Sequence, residues 1–140
     1  MNIQVNYLAV IAAGIVSMVL GFLWYSPAVL GKPWMKEKGI SAETLKKEQK
    51  EMGKWYGVSF VFSLIMAYVL FHVMAMAMNF FHYTRLSTGL SSAFWMWLGF
   101  IMPVQATATI FGGKNFKLFG IDTGYQLVSI LAMGVVLALL

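Results

Sequence analysis

The chain has 140 residues, of which 60% are hydrophobic and 11% charged, with a formal net charge of +5 and no cysteine. Soluble domains carry about 25% charged residues, so this composition excludes that class and places the chain in a bilayer. The lack of cysteine excludes disulfides, thiolate metal sites and cysteine nucleophiles. The basic residues lie in loops between apolar stretches, where membrane orientation explains them and nucleic acid is not required.

From Val5 to Tyr25 no residue is charged, and at ~1.5 Å per residue this stretch can cross a hydrocarbon core of about 30 Å. The residues before it lack the basic flank of a cleaved signal peptide, so a retained first span over 5–25 is expected. Within it Ala9, Ala13, Ser17 and Gly21 recur at every fourth position, a stripe of small side chains that lets two helices approach closely in lipid. Pro27 and Pro33 stop the helix near Tyr25. Trp24, Tyr25 and Trp34, with Lys32, Lys36 and Lys38, mark the headgroup layer.

Ser41 is the predicted N-cap of a short amphipathic helix over about 41–53, with Glu43 near its positive end and Gly53 as a stop. Glu43 and Lys47 are spaced for an ion pair, and Leu45 and Met52 share a side, so the helix is expected to lie on the cytoplasmic membrane surface. A second span is predicted over 56–78, carrying His72. The connection through His82 and Arg85 is short, which makes the second and third spans antiparallel neighbours. The third span is predicted over 90–111, where Pro103 should free the carbonyl of Gly99 and bend the helix. After Gly112-Gly113-Lys114 the last span is predicted over 122–140, capped by Asp122 or Thr123, because a start at Tyr125 leaves only about 24 Å. Gly134 and Ala138 form another small pair one turn apart.

Seven lysines fall between positions 26 and 54, Lys114 and Lys117 follow the third span, and Arg85 alone lies on the other side. Retention of basic loops in the cytoplasm then places both termini outside and segments 26–55 and 112–122 inside a bacterial plasma membrane. Leu20-Gly21-Phe22 with Pro27 and Gly31-Lys32 is echoed by Leu98-Gly99-Phe100 with Pro103 and Gly113-Lys114, a pattern a duplicated hairpin would leave.

Gly21-x-Leu23-Trp24-Tyr25-Ser26-Pro27-x-x-x-Gly31-Lys32-x-Trp34, with Phe94-Trp95-x-Trp97-Leu98-Gly99-Phe100 and Gly124-Tyr125-Gln126-Leu127, resembles the bacterial membrane family called domain of unknown function 1761. The resemblance extends over nearly the whole chain. It implies an all-α membrane protein of four transmembrane helices in an antiparallel bundle, and it carries no activity, substrate or catalytic residue.

Three sets of residues are candidates for chemistry. Gln105, Thr109, Asp122 and Gln126, with Tyr25, Ser26 and Tyr125, form a polar set on the cytoplasmic half, readable as interhelical hydrogen bonding and capping or as a ligand site. His72, Met76, Met78 and His82 have the soft donors that suit copper or silver, although methionine as flexible core filling is the plainer reading. His72 alone is an intramembrane imidazole without a carboxylate partner in the spans. No nucleophile with a base, no carboxylate pair and no phosphate-cradling loop is present, so the sequence points away from an enzyme and implies no cofactor. It points first to a small non-enzymatic protein that forms homo-oligomers or supports another membrane component through its small-residue faces. The alternatives are a small transporter or ligand binder using the polar set, and an outward Met/His metal site.

Overall fold

The structure, a computed structural model, describes residues 2–140, and all regular structure among them is helical. The first helix, α1, is Tyr7–Trp24. Asn6 caps it, its Oδ1 accepting from the amide of Ala9 at 3.2 Å, which satisfies one of the orphan donors of the first turn.

Between Tyr25 and Ser41, where the two prolines suggest a loop, the chain forms a second helix, α2, Gly31–Lys38. Pro33 stands in its first turn, where a missing amide hydrogen costs nothing. Gly39, in the left-handed region at φ 69°, ends it. Helix α3, Ala42–Glu51, begins as expected at Ser41, whose Oγ accepts from the amide of Thr44 at 3.2 Å. None of its residues is buried, and Leu45 alone is partly covered, so α3 stands at the surface of the chain. Glu43 and Lys47 do not pair; the only ion pair among the described residues joins Lys117 to Glu37.

Helix α4, Gly53–Phe81, starts at the glycine expected to stop α3 and extends past Met78. The third span also begins earlier than expected, at α5, Arg85–Met96, capped by Thr84. Near Pro103 the helix departs from the regular α form. Trp97–Ile101 is a π-helical turn, and α6, Met102–Phe111, follows with the proline in its first turn. The wider turn accommodates a residue that cannot donate into a regular ladder.

The last helix, α7, is Phe116–Leu139. Asp122 and Thr123 therefore do not cap it; Asn115 does, its Oδ1 accepting from the amide of Leu118 at 3.1 Å. Twenty-four residues give about 36 Å, which removes the length deficit.

Helix α7 packs against α1, α4, α5, α6 and α2. It runs antiparallel to α1, since Asn6 Nδ2 donates to the carbonyl of Leu140 at one end and Trp24 Nε1 to that of Ile121 towards the other. It runs antiparallel to α5 as well, because Arg85 donates to the carbonyl of Leu137 and Trp97 Nε1 to that of Thr123. Leu70 and Met74 of α4, Ala93 of α5, and Ile130, Met133 and Leu137 of α7 fill the centre with Ala9, Val10 and Ala13 of α1. The closest approach is between backbones. A Cβ added at Gly134 would stand 2.5 Å from the carbonyl oxygen of Gly89, so only glycine fits that crossing.

The outside is apolar: Phe100 and Phe111 are 70% and 85% exposed. Four helices, Tyr7–Trp24, Gly53–Phe81, Arg85–Phe111 and Phe116–Leu139, are long and apolar enough to cross a membrane. Large apolar side chains on such an outer surface match a hydrocarbon solvent.

Candidate functional site

Trp24 to Trp34 forms a tight reversal at the end of α1. The carbonyl of Ser26 accepts from the amides of Val29 at 3.1 Å and Gly31 at 2.8 Å, and the carbonyl of Trp24 accepts from Leu30. Gly31 is buried against the backbone of Tyr25 and Ser26, leaving no room for a Cβ. Trp34 is thereby folded edge-on to Tyr25, with ring centroids 5.4 Å apart.

This reversal aims two side chains of α1 at one short piece of α7. Trp24 Nε1 donates to Ile121 O at 3.0 Å, and Tyr25 Oη donates to Asp122 Oδ1 at 2.6 Å. From the other side, Trp97 Nε1 donates to Thr123 O at 3.0 Å, and Thr123 Oγ1 donates to Gln105 Oε1 at 2.6 Å. Residues 121–123 thus form a polar junction held by α1, the π turn and α6. At 2.6 Å the Tyr25 contact lies at the short end of the hydroxyl–oxygen range.

On the α6 side the junction opens into a cleft of about 270 Å³, lined by Gln105, Ala108, Thr109 and Gly112 from α6 and its end, and by Asn115, Leu118, Phe119, Asp122 and Thr123. Thr109 turns its hydroxyl proton back to Gln105 O at 2.8 Å, which leaves its oxygen as an acceptor. Asp122 is held by a neutral hydroxyl, and no cationic side chain pairs with it among the described residues. The wall therefore carries one carboxyl group, the accepting hydroxyl oxygens of Thr109 and Thr123, and the donor amide of Gln105.

A protein-family model, described as a protein of unknown function (DUF1761), matches residues 8–138. The chain belongs to the DUF1761 family. No curated protein and no solved structure matches it.

In this DUF1761 protein the structure brings Gln105, Thr109 and Asp122 to one cleft and separates the rest of the polar set from it. Tyr25 reaches Asp122 from the α1 side. Tyr125 donates instead to Ser17 O at 3.0 Å and stacks edge-on with Tyr25, Ser26 Oγ donates to Leu23 O, and Gln126 does not line the cleft. Asn115 and Thr123 were hidden among loop and cap signals in the sequence, and the indole donors Trp24 and Trp97 among its interfacial aromatics.

His72 Nδ1 lies 2.8 Å from Tyr68 O within its own helix. Met76 is 52% exposed, His82 is the left-handed C-cap of α4, and Met74 is buried in the centre. No cluster of three or more His, Cys, Asp or Glu residues that could hold a metal occurs among the described residues. The small-residue stripe of Ala9, Ala13, Ser17 and Gly21 faces inward: Ser17 Oγ and Ser129 Oγ are 2.7 Å apart, and a Cβ at Gly21 would stand 3.0 Å from Tyr125 Oη. Gly134 and Ala138 are likewise buried within the chain. Both sets of small residues are therefore packed between helices of one chain.

Proposed function

We propose that this DUF1761 protein is a non-enzymatic, multi-pass protein of the bacterial plasma membrane that binds a small cationic solute in the cleft between α6 and α7. Both termini face outward, and α2, α3 and the turn before α7 face the cytoplasm, a reading supported by nine lysines at that end against Arg85 at the other. The cleft then opens at the cytoplasmic end of the spans.

The observation that carries the reading is Asp122. A carboxylate inside an apolar helix is expensive unless paired, and such residues mark solute paths. Here its protein partner is a neutral tyrosine, and Asp122 also lines the cleft, where the hydroxyl oxygens of Thr109 and Thr123 are further acceptors. A cation supplies the missing charge. The volume suits an ion or small ammonium compound, being below the ~300 Å³ at which drug-sized sites begin.

The test is a thermal-unfolding series in nanodiscs with sodium, potassium, methylammonium, guanidinium and tetramethylammonium chlorides. At least one cation should stabilise the protein saturably, and Asp122→Asn should abolish that gain. If no cation stabilises it, or the gain survives in Asp122→Asn, the reading is wrong.

A further inference from the structure

The cation reading leaves one group on the cleft wall unused, the side-chain amide of Gln105, and what that amide selects rests on the same reading. Gln105 stands one turn before Thr109 on α6, so the two share a face, and both line the cleft. Thr123 Oγ1 donates to Gln105 Oε1 at 2.6 Å, which fixes how the amide is turned: its oxygen is engaged by α7, and its N–H groups are left as donors. No buried side-chain nitrogen or oxygen lacks a partner among the described residues, so these donors are reachable from the cleft and not sealed in the core. Asn115, the other amide on the wall, is tied at both ends, its Oδ1 accepting from the Leu118 amide at 3.1 Å and its Nδ2 donating to Glu37 O at 3.4 Å.

A metal ion or an alkylammonium answers Asp122 and gives Gln105 nothing to donate to. Donors facing an open cleft are hydrated, and a solute that strips them without supplying an acceptor loses affinity. The solute therefore carries an oxygen acceptor beside its positive charge. A carboxylate or phosphate is excluded, because a second anion a few ångströms from Asp122 would be repelled; zwitterions and the headgroup of phosphatidylethanolamine fall with it. A hydroxyl is neutral and accepts from Gln105 Nε2. Its own proton can go to Thr109 Oγ1, whose proton is already turned to Gln105 O at 2.8 Å. The two binding points are close, since Asp122 precedes Thr123, the partner of Gln105, with Cα atoms ~3.8 Å apart. We infer that the solute is a small amino alcohol, its ammonium at Asp122 and its hydroxyl between Gln105 Nε2 and Thr109 Oγ1.

The experiment reads apparent affinity from the concentration dependence of thermal stabilisation in phosphatidylglycerol nanodiscs. The solutes are 2-hydroxyethylammonium, propylammonium, in which a methyl replaces the hydroxyl, and glycine. Wild type should bind the amino alcohol about five-fold more tightly than propylammonium, the worth of one neutral hydrogen bond, and should not bind glycine. Gln105→Met, which keeps the length of the side chain and removes its donors, should bind the two ammonium compounds alike, with propylammonium affinity unchanged. Equal affinities in wild type, or tighter binding of glycine, overturn the amino-alcohol assignment while leaving the cation site standing. Binding of neither ammonium compound, or binding that survives in Asp122→Asn, overturns the cation reading itself. A Gln105→Met protein that keeps the five-fold preference, or loses both compounds together, overturns the role of Gln105 in recognising the hydroxyl. Phosphatidylethanolamine added to the discs should leave the affinity for the amino alcohol unchanged; a weaker affinity would make the lipid headgroup the occupant and overturn the proposal.

Discussion

Replacing Gly134 by alanine tests the crossing of α5 and α7 with a single added carbon. That Cβ would stand 2.5 Å from Gly89 O, 2.9 Å from Gly89 C and 3.3 Å from the Ala93 Cβ. The first distance is about 1 Å short of ordinary contact, which begins near 3.5 Å. Two of the three atoms belong to backbone, so no side chain can turn away, and the helices must separate. Overpacking of this kind costs about 1–3 kcal/mol, and 2 kcal/mol lowers the folded-to-unfolded ratio by a factor of about 30. Reversible unfolding in mixed micelles, titrated with sodium dodecyl sulfate, reads that ratio. Gly120 provides the control, because a Cβ there meets nothing within 4 Å although it lies on the same helix. Gly120→Ala should be neutral or stabilising by up to about 1 kcal/mol, through helix propensity alone. If the two variants shift stability alike, the close backbone crossing is not present in solution.

Three further outcomes follow from the polar contacts. Asn115→Ala removes the cap of α7 and should destabilise the protein by about 1 kcal/mol, measured in the same titration, with Asn115→Asp retaining most of it. Ser17→Leu forces a larger side chain between α1 and α7, where Ser17 is 3% exposed, so it should lower stability while leaving the subunit count in native mass spectra unchanged. A lower subunit count at unchanged stability would return that stripe to an interface between copies. Tyr25→Phe takes the hydroxyl from Asp122 and should tighten binding of whichever cation stabilises wild type; weaker binding would mean that Tyr25 itself contacts the solute.

The spans were legible because long uncharged runs have one physical explanation, and the stretch from Val5 to Tyr25 and its helix differ by only a residue or two at each end. Their ends were harder to place. Asp122 has the side chain of a cap, but α7 already starts at Phe116, because Asn115 caps it behind the Gly-Gly-Lys turn and a single lysine at 117 does not break a helix. Two prolines disguised α2, although Pro33 occupies the one turn of a helix that tolerates it. Gln105, Thr109 and Asp122 stood out as polar groups in apolar runs. Their convergence could not be read from spacing, since an extra residue in a π turn rotates everything after it by about 100°. That rotation, set where Trp97 reaches the Thr123 carbonyl, decides which face α6 offers to α7.

A cytoplasm-facing cleft whose carboxyl group selects cations can be probed by cysteine labelling, because the chain contains no cysteine of its own. Thr109→Cys places one thiol on the cleft wall. In inverted membrane vesicles a trimethylammonium methanethiosulfonate should label it about ten-fold faster than the sulfonate analogue, because the field of Asp122 concentrates cations there. The preference should vanish in Thr109→Cys combined with Asp122→Asn. Absence of labelling from the cytoplasmic side, or equal rates for the two reagents, would mean that the cleft is not an open cation site on that face.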